Sequence, residues 1–324
     1  MIPLPTSAIL IAKITEGVIS QSKLYSGLFM AVNWAQIIFN SAITGSLYLI
    51  GAVGLTLTYG LSKFPNFAHA EFITLGAFIG YLVAEKLGLG LPLAIVVAFL
   101  ATGVVGLLCY RGLFQPLAKR GATIIHLMVA SIALGFILRY SIGAIWGWNP
   151  LYFSTSWSNF DFGPVRATEL WIWLILTAVA LALIMHFVLV KTKIGKAIRA
   201  VSSNPELALA SGIHIDRIIL ITWCLGAGLA AIAGIFRAAN TQIWPLTGWD
   251  IILPMFAVAI LGGIGNFYGA IVAAFIIGLA ENFGVVALIS LGLSTEYRIA
   301  IAFVILIVTL IIRPQGLAMF FRRA

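Results

Sequence analysis

Long, unbroken runs of apolar residues dominate the chain, and short segments with polar and basic residues separate them. Neither of two typical runs, 95–110 and 171–190, alternates apolar with polar positions. A helix needs about 20 apolar residues to cross the hydrocarbon core of a bilayer, whereas the strands of a membrane barrel alternate with a period of two. The pattern therefore predicts an all-α fold, a polytopic transmembrane helical bundle in a lipid bilayer.

Windows of about 19 residues locate the individual spans. We place eight of them near 34–61, 67–86, 91–110, 124–146, 170–190, 218–240, 267–290 and 297–312. A further apolar stretch, 251–264, is short, and the glycines that follow it suggest a broken or re-entrant element. We therefore expect about eight to nine spans in a transmembrane domain over 34–324, preceded by an amphipathic or peripheral segment over 1–33.

The composition narrows the class of protein further. Only 9% of the residues are charged, against about 25% in soluble globular domains, so the chain cannot build a water-exposed surface. This excludes a soluble globule, a coiled coil and a disordered chain. The net charge of +9 does not indicate binding of nucleic acid, because the basic residues are spread over the segments between the spans.

The positions of the basic residues indicate how the chain is oriented in the membrane. Four segments hold twelve of the 19 Lys and Arg residues: 62–66, 111–123, 191–217 and 313–324. Because cytoplasmic loops are enriched in Lys and Arg, we predict that these segments and the C-terminus are cytoplasmic. The path alternates consistently only if 251–264 crosses, which puts the N-terminus outside. We thus expect a multi-pass protein of the cell membrane.

The sequence carries no recognisable catalytic or metal-binding motif. It lacks a G-x-x-x-x-G-K-[ST] phosphate-binding loop, an H-E-x-x-H zinc motif and any other Cys/His metal pattern. We therefore predict no catalytic residue, no metal site and no ATPase activity of its own. A membrane-embedded enzyme would need paired polar groups at one depth, and only His69 and Glu71 come close to that arrangement.

A polar segment interrupts the apolar pattern between the first two spans. Pro65 breaks a helix and Asn66 is a good cap for the next one, whose first turns contain His69 and Glu71. An ionisable group inside a bilayer costs about 3 kcal/mol on insertion scales. Glu71 therefore either has a role within the membrane, such as lining a pathway, or lies near the cytoplasmic interface, where water solvates it.

Other polar residues lie inside or at the ends of spans. Glu281 and Asn282 occupy the middle of an apolar stretch, where they either line a pathway or form a buried interhelical hydrogen bond. Arg139 and Arg237 fall towards the outer ends of their spans, and we expect them to snorkel to the interface rather than to meet a substrate carboxylate. The tryptophans of the outer segments are predicted to be interfacial anchors: Trp146, Trp148, Trp157, Trp171, Trp244 and Trp249.

The cytoplasmic segment after the fifth span contains signals for a short surface helix. Ser203 or Asn204 can cap this helix, and Pro205 suits its first turn. Glu206 is favourable near the positive end of the helix dipole, and Gly212 ends the helix. A helix this short is either an ordinary solvated loop helix or one that docks into the groove of a partner protein.

Four stretches of the chain are similar, in order, to the motifs of one known family. They are 66–77 (Asn-Phe-Ala-His-Ala-Glu-Phe-Ile-Thr-Leu-Gly-Ala), 192–213, 261–270 (Leu-Gly-Gly-Ile-Gly-Asn-Phe-Tyr-Gly-Ala) and 313–317 (Arg-Pro-Gln-Gly-Leu). Through them the chain resembles a permease subunit of a branched-chain amino-acid importer of the ATP-binding-cassette class. The resemblance extends over most of the chain and implies a helical membrane permease.

The resemblance also implies that 191–217 is the cytoplasmic coupling loop that meets the ATPase. The implied coupling residues are Gly195, Arg199, Asn204, Pro205, Glu206, Ala208 and Gly212. Glu206, Ala208 and Gly212 keep the Glu-x-Ala-x-x-x-Gly part of the general importer pattern, and Leu207 stands where that pattern has Ala.

The implied partners are a second, homologous permease subunit, two P-loop ATPase subunits and an extracytoplasmic substrate-binding protein. ATP and Mg²⁺ would bind to the ATPase subunits and not to this chain. As candidate residues of the substrate pathway we name Asn66, His69, Glu71, Glu281 and Asn282. Two alternatives stay open: a permease of the same class for urea or short amides, and an ion-coupled secondary transporter.

Overall fold

The structure, a computed structural model, describes residues 33–312 and 316–317. The predicted N-terminal amphipathic segment therefore lies outside the described residues, except for Asn33. Most of the predicted cytoplasmic C-terminal segment lies outside them as well.

Helices form most of the described chain, and a small hairpin lies between two of them. The helices are α1 Trp34–Ser62, α2 His69–Tyr81, α3 Gly90–Cys109, α4 Gln115–Lys119, α5 Ile124–Trp146, α6 Glu169–Lys191, α7 Lys193–Ser203, α8 Pro205–Ala210, α9 Ile215–Asn240, α10 Trp249–Gly262, α11 Phe267–Ser290 and α12 Arg298–Ile312. One π-helical segment (Leu82–Lys86) extends α2, another (Tyr110–Phe114) joins α3 to α4, and a 3₁₀ turn (Thr295–Tyr297) precedes α12. The antiparallel hairpin consists of β1 Asn159–Phe162 and β2 Val165–Thr168.

The helices confirm the predicted polytopic bundle. Within the described residues, 7 helical stretches are long and apolar enough to cross a membrane. They match seven of the predicted spans, because each of these spans is a single continuous apolar run. The span predicted over 67–86 is α2 with its π-helical extension, and the short stretch 251–264 is α10, a helix of 14 residues.

Helices α1 and α9 form the centre of the bundle. In the apolar window of α9 72% of the residues are buried, against 22% in α5. Glycines allow the backbones to approach closely. A Cβ atom added to Gly54 of α1 would lie 2.5 Å from the carbonyl oxygen of Gly226 in α9, and one added to Gly234 of α9 would lie 1.9 Å from that of Ile73 in α2. These glycines therefore have a packing role, since a side chain at either position would collide with a neighbouring helix.

The two ends of the bundle carry different segments. At one end, which we call the hairpin end, the amide of Gln36 near the start of α1 donates to the carbonyl oxygen of Arg166 in β2 (3.1 Å). At the other, the basic end, the Lys63 ammonium after α1 donates to the carbonyl oxygen of Ser202 in α7 (3.2 Å). Helix α1 therefore runs from the hairpin end to the basic end.

Two pieces of non-helical chain lead back into the bundle. The first, 63–68, follows α1 at the basic end and continues into α2. The second, 241–248, follows α9 at the hairpin end and continues into α10. The amide of Gly248 donates to Oγ1 of Thr74 (3.0 Å), so the N-terminus of α10 lies beside the first turns of α2. The pair α1–α2 and the pair α9–α10 therefore run in opposite directions. Helices α2 and α10, the second of each pair, begin close to each other inside the protein.

Candidate functional site

The chain between α1 and α2 is buried although it is not helical. Phe64, Asn66 and Ala68 have almost no exposed surface. Oδ1 of Asn66 accepts a hydrogen bond from the amide of Ala68 (3.1 Å), which closes a tight turn just before α2. The predicted break is thus confirmed, but Asn66 does not cap the helix itself, because the N-cap position belongs to Ala68.

This break lies deep inside the bundle. Nε2 of His69, the first residue of α2, is 3.1 Å from the carbonyl oxygen of Gly51 in α1. At 1.5 Å per residue, Gly51 is about 25 Å along the axis from Trp34 and roughly 17 Å from Ser62. Irregular backbone at membrane depth occurs where protein encloses it or where it lines a cavity. Segment 63–68 therefore belongs to the part of the fold where a pathway can form.

Glu71 in the first turn of α2 is a fully buried carboxylate with an arginine partner. Its side chain has 0% exposure, and that of Arg139 in α5 has 11%. Nε and Nη2 of Arg139 donate to Oε1 of Glu71 at 3.0 and 2.6 Å. Nε1 of Trp249 donates to the same oxygen at 2.7 Å. Of the two interpretations left open for Glu71, solvation at the interface is therefore wrong.

Arg139 is held by aromatic rings as well as by the carboxylate. Its guanidinium carbon lies 4.8 Å from the ring centroid of Trp249 and 5.5 Å from that of Phe136. Guanidinium groups over aromatic faces gain electrostatic attraction, more so where water is excluded. The prediction that Arg139 snorkels is therefore wrong, because its partner Glu71 lies inside the protein at the same depth.

Trp249 reaches Glu71 because α10 begins close to α2. A Cβ atom on Gly248 would lie 1.8 Å from the carbonyl oxygen of Ala70, so only glycine fits between the two helices. Trp249 is therefore not the interfacial anchor that was predicted from its position near the outer loops. The sequence around Trp249 carries no signal for this role, because its partner Glu71 lies 178 positions away in the chain.

Several buried polar atoms near the break have no hydrogen-bond partner among the described residues. They are Oε2 of Glu71, Nδ1 of His69 and Nδ2 of Asn66. Buried polar groups in proteins are nearly always satisfied, and each exception needs a reason. The structure thus brings together three of the five predicted pathway residues and leaves each of them with one free polar atom.

The other two predicted residues, Glu281 and Asn282, belong to a second cluster. Oε2 of Glu281 accepts from the hydroxyl of Tyr48 in α1 (2.8 Å) and lies 3.2 Å from Nε of Arg298. Nδ2 of Asn282 donates to Oγ1 of Thr44 (3.1 Å). Among the described residues, no hydrogen bond links this cluster to Glu71. Both residues therefore form interhelical hydrogen bonds, one of the two alternatives left open for them, and Oε1 of Glu281 is buried without a partner among the described residues.

Arg237 also has an acidic partner. Its Nη2 is 3.4 Å from Oδ2 of Asp250, the residue after Trp249, and 21% of its side chain is exposed. The described residues bring no three His, Cys, Asp or Glu side chains together in a way that could hold a metal ion.

At the basic end, α7 lies against the end of α6. Oγ1 of Thr192 accepts from the amide of Gly195 (3.1 Å), which caps α7. A Cβ atom on Gly195 would lie 2.2 Å from the carbonyl oxygen of Val188, and Nη1 of Arg199 donates to the carbonyl oxygen of Leu189. Gly195, which is buried, and Arg199, which is exposed but bonded to the end of α6, therefore both attach α7 to the bundle.

Helix α8 is short, capped at both ends and exposed. Oδ1 of Asn204 accepts from the amide of Leu207 (3.0 Å), and Pro205 is the first helical residue. Gly212 has a φ of 81°, and the amide of Ile213 donates to the carbonyl oxygen of Ala208 (3.0 Å), as in a Schellman C-cap. The predicted short helix is confirmed, with Pro205–Ala210 as its bounds.

Helix α8 exposes apolar side chains, although the loop that contains it is polar. Leu207 and Leu209 are 64% and 61% exposed, whereas Ala208 is buried against the bundle. Glu206 is exposed beside them. Because residues i and i+2 are about 200° apart around a helix axis, the two leucines lie on opposite flanks of α8, one on each side of the buried Ala208.

Comparisons with known proteins agree with this architecture. Residues 37–310 match the family described as branched-chain amino acid transport system permease component. The chain is 32% identical over 291 residues to the probable branched-chain amino acid transport permease protein LivH of Methanocaldococcus jannaschii. The aligned region covers 87% of this chain and 91% of that protein.

Two further relatives come from Escherichia coli strain K12. The high-affinity branched-chain amino acid transport system permease protein LivH is 29% identical, over 87% of this chain and 94% of its own length. The ribose import permease protein RbsC is 28% identical, over 87% of this chain and 80% of its own length. Permeases with different substrates thus align over most of this chain.

Proposed function

Since this chain belongs to the family of branched-chain amino acid transport permeases, we propose that it forms the membrane path of an ABC importer for branched-chain amino acids. The observation that carries the proposal is the family match over residues 37–310. A buried polar break at membrane depth, with Asn66, His69 and Glu71, supports it. We assign Glu281 and Asn282 to helix packing, because their hydrogen bonds join α11 to α1.

We place the basic end in the cytoplasm. Lys63, Lys119 and the lysines of α7 lie at that end, and cytoplasmic segments are enriched in basic residues. The hairpin end then faces outward, where a substrate-binding protein would deliver its ligand, and the C-terminus is cytoplasmic. The chain would be a multi-pass protein of the cell membrane.

The proposed complex contains two P-loop ATPase subunits, a second homologous permease subunit and an extracytoplasmic binding protein. This chain has no phosphate-binding loop in its sequence, so ATP and Mg²⁺ would bind to the ATPase subunits. Their motion has to reach the membrane through a contact at the basic end. The capped helix α8 is the element there with a fixed shape and exposed leucines.

We therefore propose that α8 is the docking element for an ATPase subunit. Leu207 and Leu209, on opposite flanks of the helix, would contact the two walls of an apolar groove, and Glu206 would lie between them on the outward side. Asn204, Pro205 and Gly212 would keep the helix in shape. Gly195 and Arg199 would transmit the motion, because they attach α7 to α6. Apolar anchors on a short helix are a common mode of groove binding.

The test is co-purification and ATP-driven uptake of leucine by the complete complex. The double variant Leu207→Ser/Leu209→Ser should lose its ATPase subunits, with at least about tenfold less uptake, because two apolar anchors account for more than 1.4 kcal/mol of binding. The control is Leu293→Ser at the hairpin end, whose side chain is also exposed (48%). This control should keep both subunits and uptake.

Three results would argue against the proposal. Normal uptake by the Leu207→Ser/Leu209→Ser double variant would refute the docking role of α8. Purification of the unmodified chain without any P-loop ATPase would refute the importer itself and favour an ion-coupled transporter. Failure of the Glu206→Gln/Gly212→Ala double variant to uncouple ATP hydrolysis from transport would refute the coupling role of those two residues.

A further inference from the structure

We infer that Glu71 and Arg139 recognise the two charges of a zwitterionic amino acid, and that they pair with each other while no substrate is bound. This inference rests on the proposed function and deepens it, because it names the chemical feature of the substrate that the membrane path reads. The carboxylate would receive the α-ammonium group of the substrate, and the guanidinium would receive its α-carboxylate.

The first support is the one-sided bonding of Glu71. Three donors converge on Oε1: Nε and Nη2 of Arg139 and Nε1 of Trp249. Oε2 of the same carboxylate is buried and has no hydrogen-bond partner among the described residues. Oε1 of Glu281 is likewise buried without a partner, so the free oxygen of Glu71 supports the inference only together with its position, beside the irregular backbone where α2 and α10 begin. The free oxygen is the acceptor that an ammonium group requires.

The second support is that Arg139 is positioned independently of Glu71. Its guanidinium lies between the rings of Trp249 and Phe136, at 4.8 and 5.5 Å from their centroids. These rings would keep the guanidinium in place after the carboxylate has turned to another partner. Arg139 also retains some exposure, 11% of its side chain, whereas Glu71 has none.

The third support is the apolar surface next to the pair. Phe67 precedes Glu71 by about one helical turn, and Phe256 follows Trp249 by about two turns on α10. Their ring centroids are 5.1 Å apart, so the turn before α2 and the middle of α10 place an aromatic pair towards the basic end, roughly 10 Å along α10 from Trp249. An amino acid held by its two charges would have this surface available for a branched side chain.

Charge balance explains why a pair suits this task. A buried ion pair is tolerated because each charge compensates the other, and removal of one partner leaves an uncompensated charge. A zwitterion inserted between Glu71 and Arg139 gives each of them a new partner, and no net charge enters the bilayer. Ribose and urea carry no such pair of charges, so a permease for either has no need of this arrangement.

The experiment uses the complete importer, with and without its binding protein. Uptake of labelled leucine in proteoliposomes, with the binding protein and ATP present, tests the proposed function. Binding of labelled leucine to the complex without the binding protein then tests the inference. The competitors are unlabelled leucine, leucinol, which lacks the carboxylate, and 4-methylpentanoate, which lacks the ammonium group.

In the unmodified complex, leucine should compete at least about tenfold better than either analogue, because each analogue leaves one charge-assisted hydrogen bond unmade. In Glu71→Gln, leucine should lose this advantage over 4-methylpentanoate and come within roughly threefold of it, since the ammonium group has lost its partner. The matched control is Glu281→Gln, a second buried carboxylate paired with an arginine, which should keep the order of the three ligands.

If Glu71→Gln does not assemble, Arg139→Lys replaces it. This variant keeps the charge but loses the two-nitrogen fork, so leucine and 4-methylpentanoate should weaken while leucinol is unaffected. Two results would overturn the inference: an unchanged order of ligands in the Glu71→Gln or Arg139→Lys complex, or equal binding of all three ligands by the unmodified complex. The proposed function would still stand after either result if leucine uptake is normal. Absence of leucine uptake by the unmodified complex would overturn the proposed function, and the inference with it.

Discussion

Two buried glutamates of this protein look alike by burial and charge but differ in what surrounds them. Glu71 and Glu281 both have 0% exposed side chains, and each lies beside one arginine. Arg139, the partner of Glu71, is 11% exposed, whereas Arg298, the partner of Glu281, is 39% exposed. Glu71 lies where two chain breaks meet, while Glu281 lies within the continuous helix α11.

The comparison teaches that a buried carboxylate is not by itself a sign of a pathway. The cluster of Glu281 joins helices that are regular on both sides, so its hydrogen bonds only have to hold α11 and α1 together. The cluster of Glu71 lies beside backbone that is irregular at membrane depth, which is where transporters place their substrate sites. The backbone around an acidic residue, more than its burial, distinguishes the two regions.

Removal of the arginines should give the largest difference between the two regions. We expect Arg139→Met to lower the free energy of unfolding by about 3–5 kcal/mol, because it leaves Glu71 buried without a compensating charge. Arg298→Met also leaves a buried carboxylate, Glu281, but it should lower the free energy of unfolding by less, about 2 kcal/mol, because water reaches the 39% exposed position of Arg298 and can take over part of its role. Denaturant unfolding of the detergent-solubilised chain measures both values, and equal losses would contradict the distinction.

Glycines next to each cluster should show a smaller difference of the same sign. A Cβ atom on Gly248 would lie 1.8 Å from the Ala70 carbonyl oxygen, and one on Gly278 would lie 2.7 Å from its nearest backbone atoms. We expect Gly248→Ala to lower the free energy of unfolding by about 2–3 kcal/mol and Gly278→Ala by about 1 kcal/mol. Gly112→Ala, with open space around it, is the control, and a loss as large in this control would show that the close approaches do not matter.

Removal of a single hydrogen-bond donor from each cluster should show whether that cluster supports mainly stability or mainly transport. Tyr48→Phe removes one buried hydrogen bond to a carboxylate and should lower the free energy of unfolding by about 2 kcal/mol, with little change in leucine uptake. Trp249→Phe leaves Glu71 two donors and should lower it by about 1 kcal/mol, yet it should reduce uptake strongly, because Arg139 then lies over a smaller ring and Glu71 loses the indole donor. Thermal unfolding and uptake of each variant test this, and a parallel loss of both quantities in the two variants would argue that the clusters have the same role.

Much of the architecture could be predicted from the sequence, because each span is a local property of about 20 consecutive residues. The helix α8 was predictable for the same reason: Asn204, Pro205 and Gly212 are near neighbours whose caps involve only the chain around them. The break before α2 followed from Pro65 and Asn66 alone. In each case the deciding interactions lie within a few residues.

The tertiary structure alone decided which residues form the site. Arg139 reaches Glu71 across 68 positions of sequence, and Trp249 reaches it across 178. Neither separation leaves a signal in one sequence, so snorkelling and anchoring were the natural predictions for these residues at the ends of apolar segments. Hydrophobicity along the chain determined how many times it crosses the membrane, whereas the packing of α2, α5 and α10 determined which charges meet there. The physical reason is that burial makes a partner for a charge obligatory without specifying where in the sequence that partner lies.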